Sequence, residues 1–148
     1  MALINLTDLP PSGVLIGIDP GSKTLGLAAS DGLRLIASPV RTIQRTKLAK
    51  DLSAVFDLYD ERGACGFVIG LPLNMDGSEG PRAQSARALA RNILKHREVP
   101  IALQDERMSS AQAERAMLEA DLSRARRAEL IDASAASVIL QTALDRLA

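Results

Sequence analysis

At 148 residues and 47% hydrophobic content, the chain has single-domain length and enough apolar material for a packed core, which excludes a disordered or low-complexity protein. Eighteen basic and eighteen acidic residues cancel, so net charge excludes no class of partner. Two phenylalanines, one tyrosine and no tryptophan exclude an aromatic base-stacking platform as the main nucleic-acid contact.

Residues 1–12 lack the basic start and apolar core of a signal peptide and read as a flexible N-terminal extension; 13–148 reads as one domain. Val14-Leu15-Ile16-Gly17-Ile18 is a continuous apolar run, the mark of a central strand covered on both faces. Asp19 ends it, where a charge at the lip of a core is costly unless a cation answers it. Pro20-Gly21-Ser22-Lys23 turns the chain into a second strand, Thr24–Ser30. Asp31-Gly32 is a two-residue hairpin signal, leading to a third strand over Leu33–Ile43, irregular at Pro39. Leu48, Leu52, Val55, Phe56 and Tyr59 then recur at helical spacing, with Thr46 as the expected N-cap and Gly63 as the stop. Gly66–Leu71 is a second buried strand, Pro81 opens a helix to about Arg97, and Val99–Gln104 is the fifth strand. Ser109 and Gln112 match a capping box for a helix to about Ala120. Asp121–Ala128 reads as a flexible link, and about Glu129–Leu147 as the last helix. A meander followed by alternating helix and strand predicts an α/β fold, a mixed five-stranded sheet with helices on both faces.

Three places carry carboxylates at the ends of separate elements: Asp19, the Asp105-Glu106-Arg107 tripeptide, and Asp132. Asp132 has Ala135, Ala136 and Ile139 three, four and seven residues on, so it shares the apolar stripe of its helix. Two hard cations, Mg²⁺ or Mn²⁺, held by Asp19, Asp105, Glu106 and Asp132 would activate water against a phosphodiester. Each feature also has a plainer reading: Asp132 as a favourable charge at a helix start, the tripeptide as a solvated loop. Zinc is not expected, because the sole histidine, His96, lies at the basic end of a helix. Lys23 in its turn, Asn74 in the loop before Pro81, Arg107, and the cluster Arg124, Arg126 and Arg127 are candidates to hold a nucleic-acid backbone. The turn is no Walker A loop, since the Gly-x-x-x-x-Gly-Lys pattern is missing.

In order along the chain stand Gly17-Ile18-Asp19-Pro20-Gly21 with Gly26 and Ser30-Asp31, then Gly70-Leu71-Pro72-Leu73-Asn74-Met75-Asp76-Gly77-Ser78. Asp105-Glu106-Arg107-Met108-Ser109 and Ile131-Asp132-Ala133-Ser134-Ala135-Ala136 follow. Together these resemble the YqgF family, an RNase H-like group described as Holliday-junction resolvases and as pre-16S rRNA nucleases. The resemblance implies an RNase H-like nuclease domain over 13–148 that depends on two divalent ions. The resemblance further implies action in the bacterial cytoplasm on the 16S rRNA 5′ end, in contact with pre-rRNA and the small ribosomal particle. It also implies Asp19, Glu106 and Asp132 as the acidic triad. Four-way DNA is the alternative substrate, and a non-catalytic RNA-binding assembly factor the alternative from another class. A resolvase would act as a symmetric homodimer, a single-cut rRNA nuclease as a monomer. The related RuvC resolvases draw their middle acid from the preceding strand, which here ends in Gly70-Leu71-Pro72 without one. Gly17-Ile18-Asp19-Pro20-Gly21 also looks like the first phosphate motif of sugar kinases and actin-like ATPases. Those close two such domains on a nucleotide, for which this chain is too short.

Overall fold

A computed structural model of the chain describes residues 3–105 and 124–148, those at 124–133 by their backbone. A short 3₁₀ turn (Leu6–Asp8) precedes β1 (Leu15–Pro20), β2 (Thr24–Ser30), β3 (Ala37–Gln44), α1 (Leu48–Glu61), β4 (Gly66–Leu71), α2 (Pro81–His96), β5 (Ile101–Asp105) and α3 (Arg124–Leu147). The strands form one sheet in the order β3-β2-β1-β4-β5. β1–β2 and β2–β3 are antiparallel, whereas β1–β4 and β4–β5 are parallel. The expected α/β architecture is the one observed. The two unbroken apolar runs, β1 and β4, are the buried centre of the sheet. Polar, half-exposed β3 is an edge.

α1 and α2 cover one face of the sheet. Ile16, Ile18, Leu25, Leu27, Phe67 and Ile69 meet Leu52, Val55, Phe56, Tyr59, Leu89 and Ile93 there. The few aromatics are core residues, with Phe67 against Phe56 and Tyr59 at ring separations of 5.6 and 4.6 Å. α3 covers the other face, where Ala136, Ile139, Leu140, Ala143 and Leu144 join Leu15, Ala28, Val68 and Ala102. Gly17 is the point of closest approach. A Cβ there would sit 2.8 Å from Leu140 Cβ and 3.0 Å from the Ala136 carbonyl. Residues this small let a helix axis settle onto the sheet.

Several local expectations change. The β2–β3 connection is six residues, 31–36, instead of a two-residue turn. The Asp31 carboxylate accepts the N–H groups of Leu35 and Ile36 at 2.7 and 2.9 Å, closing a wider loop around itself. These N–H bonds hold its carboxyl below the usual value. Leu33, Leu35 and Ile36, expected within a strand, are exposed. The irregularity at Pro39 is a bulge: Ala28 pairs with Pro39 but Leu27 with Arg41, leaving Val40 between.

Thr46 does not cap α1. Lys47 holds that position, and Thr46 instead gives its N–H to Asp51 Oδ1 at 3.1 Å. Gly63 ends the helix as expected, at φ +62°. The N-terminal segment, expected to be a flexible extension, is packed: Leu6 and Leu9 are buried, and Ile4 bridges to Ala102. Arg124, Arg126 and Arg127, expected in a flexible link, lie in the first turn of α3. The helix expected over 109–120 lies outside the described residues.

Candidate active site at the carboxyl edge of the sheet

β1, β4 and β5 run parallel, so their C-terminal ends share one edge, the side on which open α/β sheets bind ligands. Asp19 stands there, half-buried, one residue from the end of β1. Strand alternation sets its face. Ile16 and Ile18 pack toward α1 and α2, Leu15 and Gly17 toward α3, so Asp19 belongs to the α3 face. Its cross-strand partner is Gly26, which places no side chain opposite it.

Asp105 ends β5, two strands away and level with Leu71. By the same alternation it falls on the other face. Leu71 and Leu103 pack with Ala83 and Ala86 of α2, whereas Gln104 meets Arg146 of α3 at 3.1 Å. The edge therefore carries both carboxylates, and the sheet separates them.

Asp132 is the ninth residue of α3, one turn before Ala136, whose carbonyl lies over Gly17. The helix begins earlier than the sequence suggested, so Asp132 is past the first turn. The plain reading of a charge favoured by the helix dipole loses its basis, because that effect fades within one turn. Glu106 and Arg107 lie outside the described residues, as do the side chains of Asp132, Arg124, Arg126 and Arg127. Among the described residues, no three Asp, Glu, His or Cys side chains gather to hold a metal ion.

Lys23 is exposed in the β1–β2 turn, which Gly21 closes by donating its N–H to the Thr24 carbonyl at 3.0 Å. Asn74 is exposed too, but its amide is committed to the loop, donating to Ser78 Oγ at 3.0 Å. Asp76 Oδ1 accepts the Ser78 N–H and hydroxyl at 2.9 and 2.6 Å, so the motif residues here build the turn itself. Glu79 then receives two bonds from the Arg87 guanidinium, at 2.6 and 2.8 Å, which holds its carboxyl below the usual range. His96 is an exposed helix-end residue stacked on Phe56.

Two features escaped sequence reasoning. Gly17 was legible as part of an apolar run and of a motif, but not as the residue whose lack of a side chain sets how near α3 lies to Asp19. Arg45 carried no motif, yet its Nη1 donates to the Gly21 carbonyl at 2.7 Å and fixes the turn after Asp19.

Residues 13–146 match the family described as RuvX, Holliday junction resolvase. A protein of Rhodobacter capsulatus named "Putative pre-16S rRNA nuclease" is 61% identical over 95% of this chain and 88% of its own. Relatives of the same name from Cereibacter sphaeroides and Rhodopseudomonas palustris are 58% and 56% identical, over 96% and 93% of this chain and 89% and 86% of theirs. Among solved structures, Thermus thermophilus RuvC in complex with a Holliday junction substrate superposes with a TM-score of 0.56 at 18% identity, over 90% of this chain and 95% of that one. The fold is thus that of RuvC, an RNase H-like sheet. By its family match and its close relatives, the chain belongs to the RuvX (YqgF) family.

Proposed function

We infer that this chain is a nuclease that hydrolyses phosphodiesters with divalent metal, acting at the 5′ end of pre-16S rRNA. The observation that carries the reading is the setting of Asp19: a half-buried carboxylate at the ligand-binding edge of a RuvC-like sheet, on the face where α3 comes closest. Asp19, Glu106 and Asp132 are the acidic set. Asp105 falls on the face away from Asp19, which favours Glu106 as the acid contributed by this tripeptide. A donor set made only of carboxylates fits Mg²⁺ or Mn²⁺, hard cations that take oxygen ligands. Such ions, when bound, supply an activated water and stabilise the leaving oxygen.

The chain's own residues hold and place the strand. Lys23 is exposed in the turn that follows Asp19 and Pro20, and Arg107 follows the acidic pair in the sequence. Arg124, Arg126 and Arg127 occupy the first turn of a helix, where acidic residues are the usual preference; a polyanion would answer that reversed charge. Asn74 acts through the loop it closes. No described helix is long and apolar enough to cross a membrane, which accords with work in the cytoplasm, where pre-rRNA and the small ribosomal particle are found. A monomer suffices for a single cut.

The test is cleavage of a 5′-extended 16S rRNA precursor with Mg²⁺ or Mn²⁺, comparing wild type with Asp19→Asn, and with a four-way DNA junction in parallel. Metal-dependent RNA products lost in the variant, with the junction intact, are the expected result. Cutting of the junction alone would assign the resolvase activity instead. No cleavage of either by folded, metal-loaded protein would leave a non-catalytic assembly factor.

A further inference from the structure

A cavity of about 600 Å³ opens on the α1/α2 side of the same edge, within the size range of small-ligand sites. Three separate segments form it: Pro20, Gly21 and Ser22 after β1, Arg45 to Asp51 at the β3–α1 junction, and Pro81, Arg82 and Ser85 of α2. Pro20 directly follows Asp19, so the cavity begins where the candidate active site ends, across the tip of β1.

Its charges have a definite arrangement. Arg45 spends one N–H on the Gly21 carbonyl and keeps the rest of a five-donor fork. Arg82 is exposed at the start of α2, with no hydrogen bond or ion pair among the described residues. Asp51 is only 3% exposed yet lines the cavity. Its Oδ1 accepts the Thr46 N–H at 3.1 Å and, more loosely, the Thr46 hydroxyl at 3.4 Å. Its Oδ2 has no partner among the described residues. A buried carboxylate oxygen without a donor is costly, and a ligand hydroxyl would relieve it.

We propose that this cavity binds one nucleotide of an RNA strand, its phosphodiester on Arg45 and Arg82 and its ribose 2′-hydroxyl donating to Asp51. The proposal rests on the nuclease reading, in that the strand passing Asp19 continues over Pro20 into the cavity. Two charges against one leave the wall net positive, as a phosphate needs. The buried acceptor is the part that tells RNA from DNA, because only RNA brings a 2′-hydroxyl.

Binding of a fluorescein-labelled single-stranded RNA, and of DNA of the same sequence, is measured in EDTA over a series of KCl concentrations. RNA should bind more tightly than DNA. Asp51→Asn keeps Oδ1 for Thr46 but puts a donor on the inner position. It should weaken RNA about tenfold, the effect of losing one hydrogen bond to a charged group, and leave DNA binding no weaker, since one negative charge has gone from the wall. Arg82→Glu should weaken both and reduce the slope of log K against log salt by about 0.7, the share of one single-strand phosphate. Arg62→Ala, an exposed cation at the far end of α1, should change neither. If Asp51→Asn fails to fold, the wild type with 2′-O-methyl RNA gives the same comparison and should lose the RNA preference.

An RNA preference untouched by Asp51→Asn and by 2′-O-methylation would overturn the proposal, as would a salt slope unchanged by Arg82→Glu. So would inorganic phosphate binding that depends on Arg82 while RNA binding does not. Because no metal is present, the outcome is independent of cleavage. Asp51-dependent RNA preference in a protein that cuts nothing would sink the nuclease reading and leave the cavity assignment standing.

Discussion

The two faces of the sheet are built from different materials. Toward α1 and α2 the strands present Ile16, Ile18, Leu27, Phe67 and Ile69, which meet a cluster of rings and branched side chains. Toward α3 they present Gly17, Ala28 and Ala102 beside only two larger apolar side chains, Leu15 and Val68, with Gly26 opposite Asp19. Large side chains bury more area and supply most of the cohesion. Small ones supply less but bring a helix backbone close. One face therefore holds the domain together, and the other fixes where the ninth residue of α3 lies relative to Asp19. Stability and site geometry are assigned to opposite sides of one sheet.

Substitutions on each side test that division. The largest expected effect is that of Phe67→Ala, which removes a fully buried ring from the aromatic cluster. It should cost about 3–5 kcal/mol in urea unfolding, while the cleavage rate per folded molecule stays near wild type at low temperature. A rate that fell with stability would show that the large-residue face also tunes the site. Asp19→Asn should do the reverse. Cleavage should drop by about a hundredfold or more, the loss of a group that stabilises transition-state charge through metal, with the unfolding midpoint held or raised.

Gly17→Ala lies between these extremes. Its new methyl must displace Leu140 or the Ala136 carbonyl, an overpacking cost of about 1–3 kcal/mol, and α3 should shift with it. Stability and cleavage should fall together. Destabilisation with an unchanged rate would sever α3 placement from the site.

Glu79→Gln gives the smallest effect and touches neither face. The Arg87 guanidinium lowers the Glu79 pKa, so the pair stabilises the fold above the ordinary carboxylate range and loses that contribution as pH falls through the lowered value. The difference in urea midpoint between wild type and variant should thus be present at pH 7 and shrink toward pH 3. A constant difference would exclude the ion pair as its source.

These contrasts were unevenly legible in the sequence. The unbroken apolar runs of β1 and β4 announce buried parallel strands, and the Leu48–Tyr59 spacing announces α1, because periodicity reports burial directly. Asp19 was legible for the same reason, as a charge where such a run stops. The β2–β3 loop was not, since Asp31-Gly32 suits a tight turn until a side chain captures two N–H groups farther on. Thr46 misled in a similar way: its side chain suits an N-cap, but the buried Asp51 carboxylate takes its N–H and Lys47 holds the cap position. The start of α3 was hidden because a cluster of arginines reads as solvated chain whether or not its backbone is helical. Face assignment at β5 needed the register itself, because only the pairing of Asp105 with Leu71 shows which side of the sheet Asp105 takes.

The seating of the N-terminal segment has a consequence for handling the protein. β5 is an edge strand, and a bare edge is a template for pairing with another chain. Here Ile4 takes the Ile101 carbonyl at 3.0 Å and bridges Ala102, with Leu6 and Leu9 buried behind it. The family match begins only at residue 13. The edge guard thus lies before the residues that the family match covers, and a chain trimmed to 13–148 should keep the sheet but associate increasingly as its concentration rises.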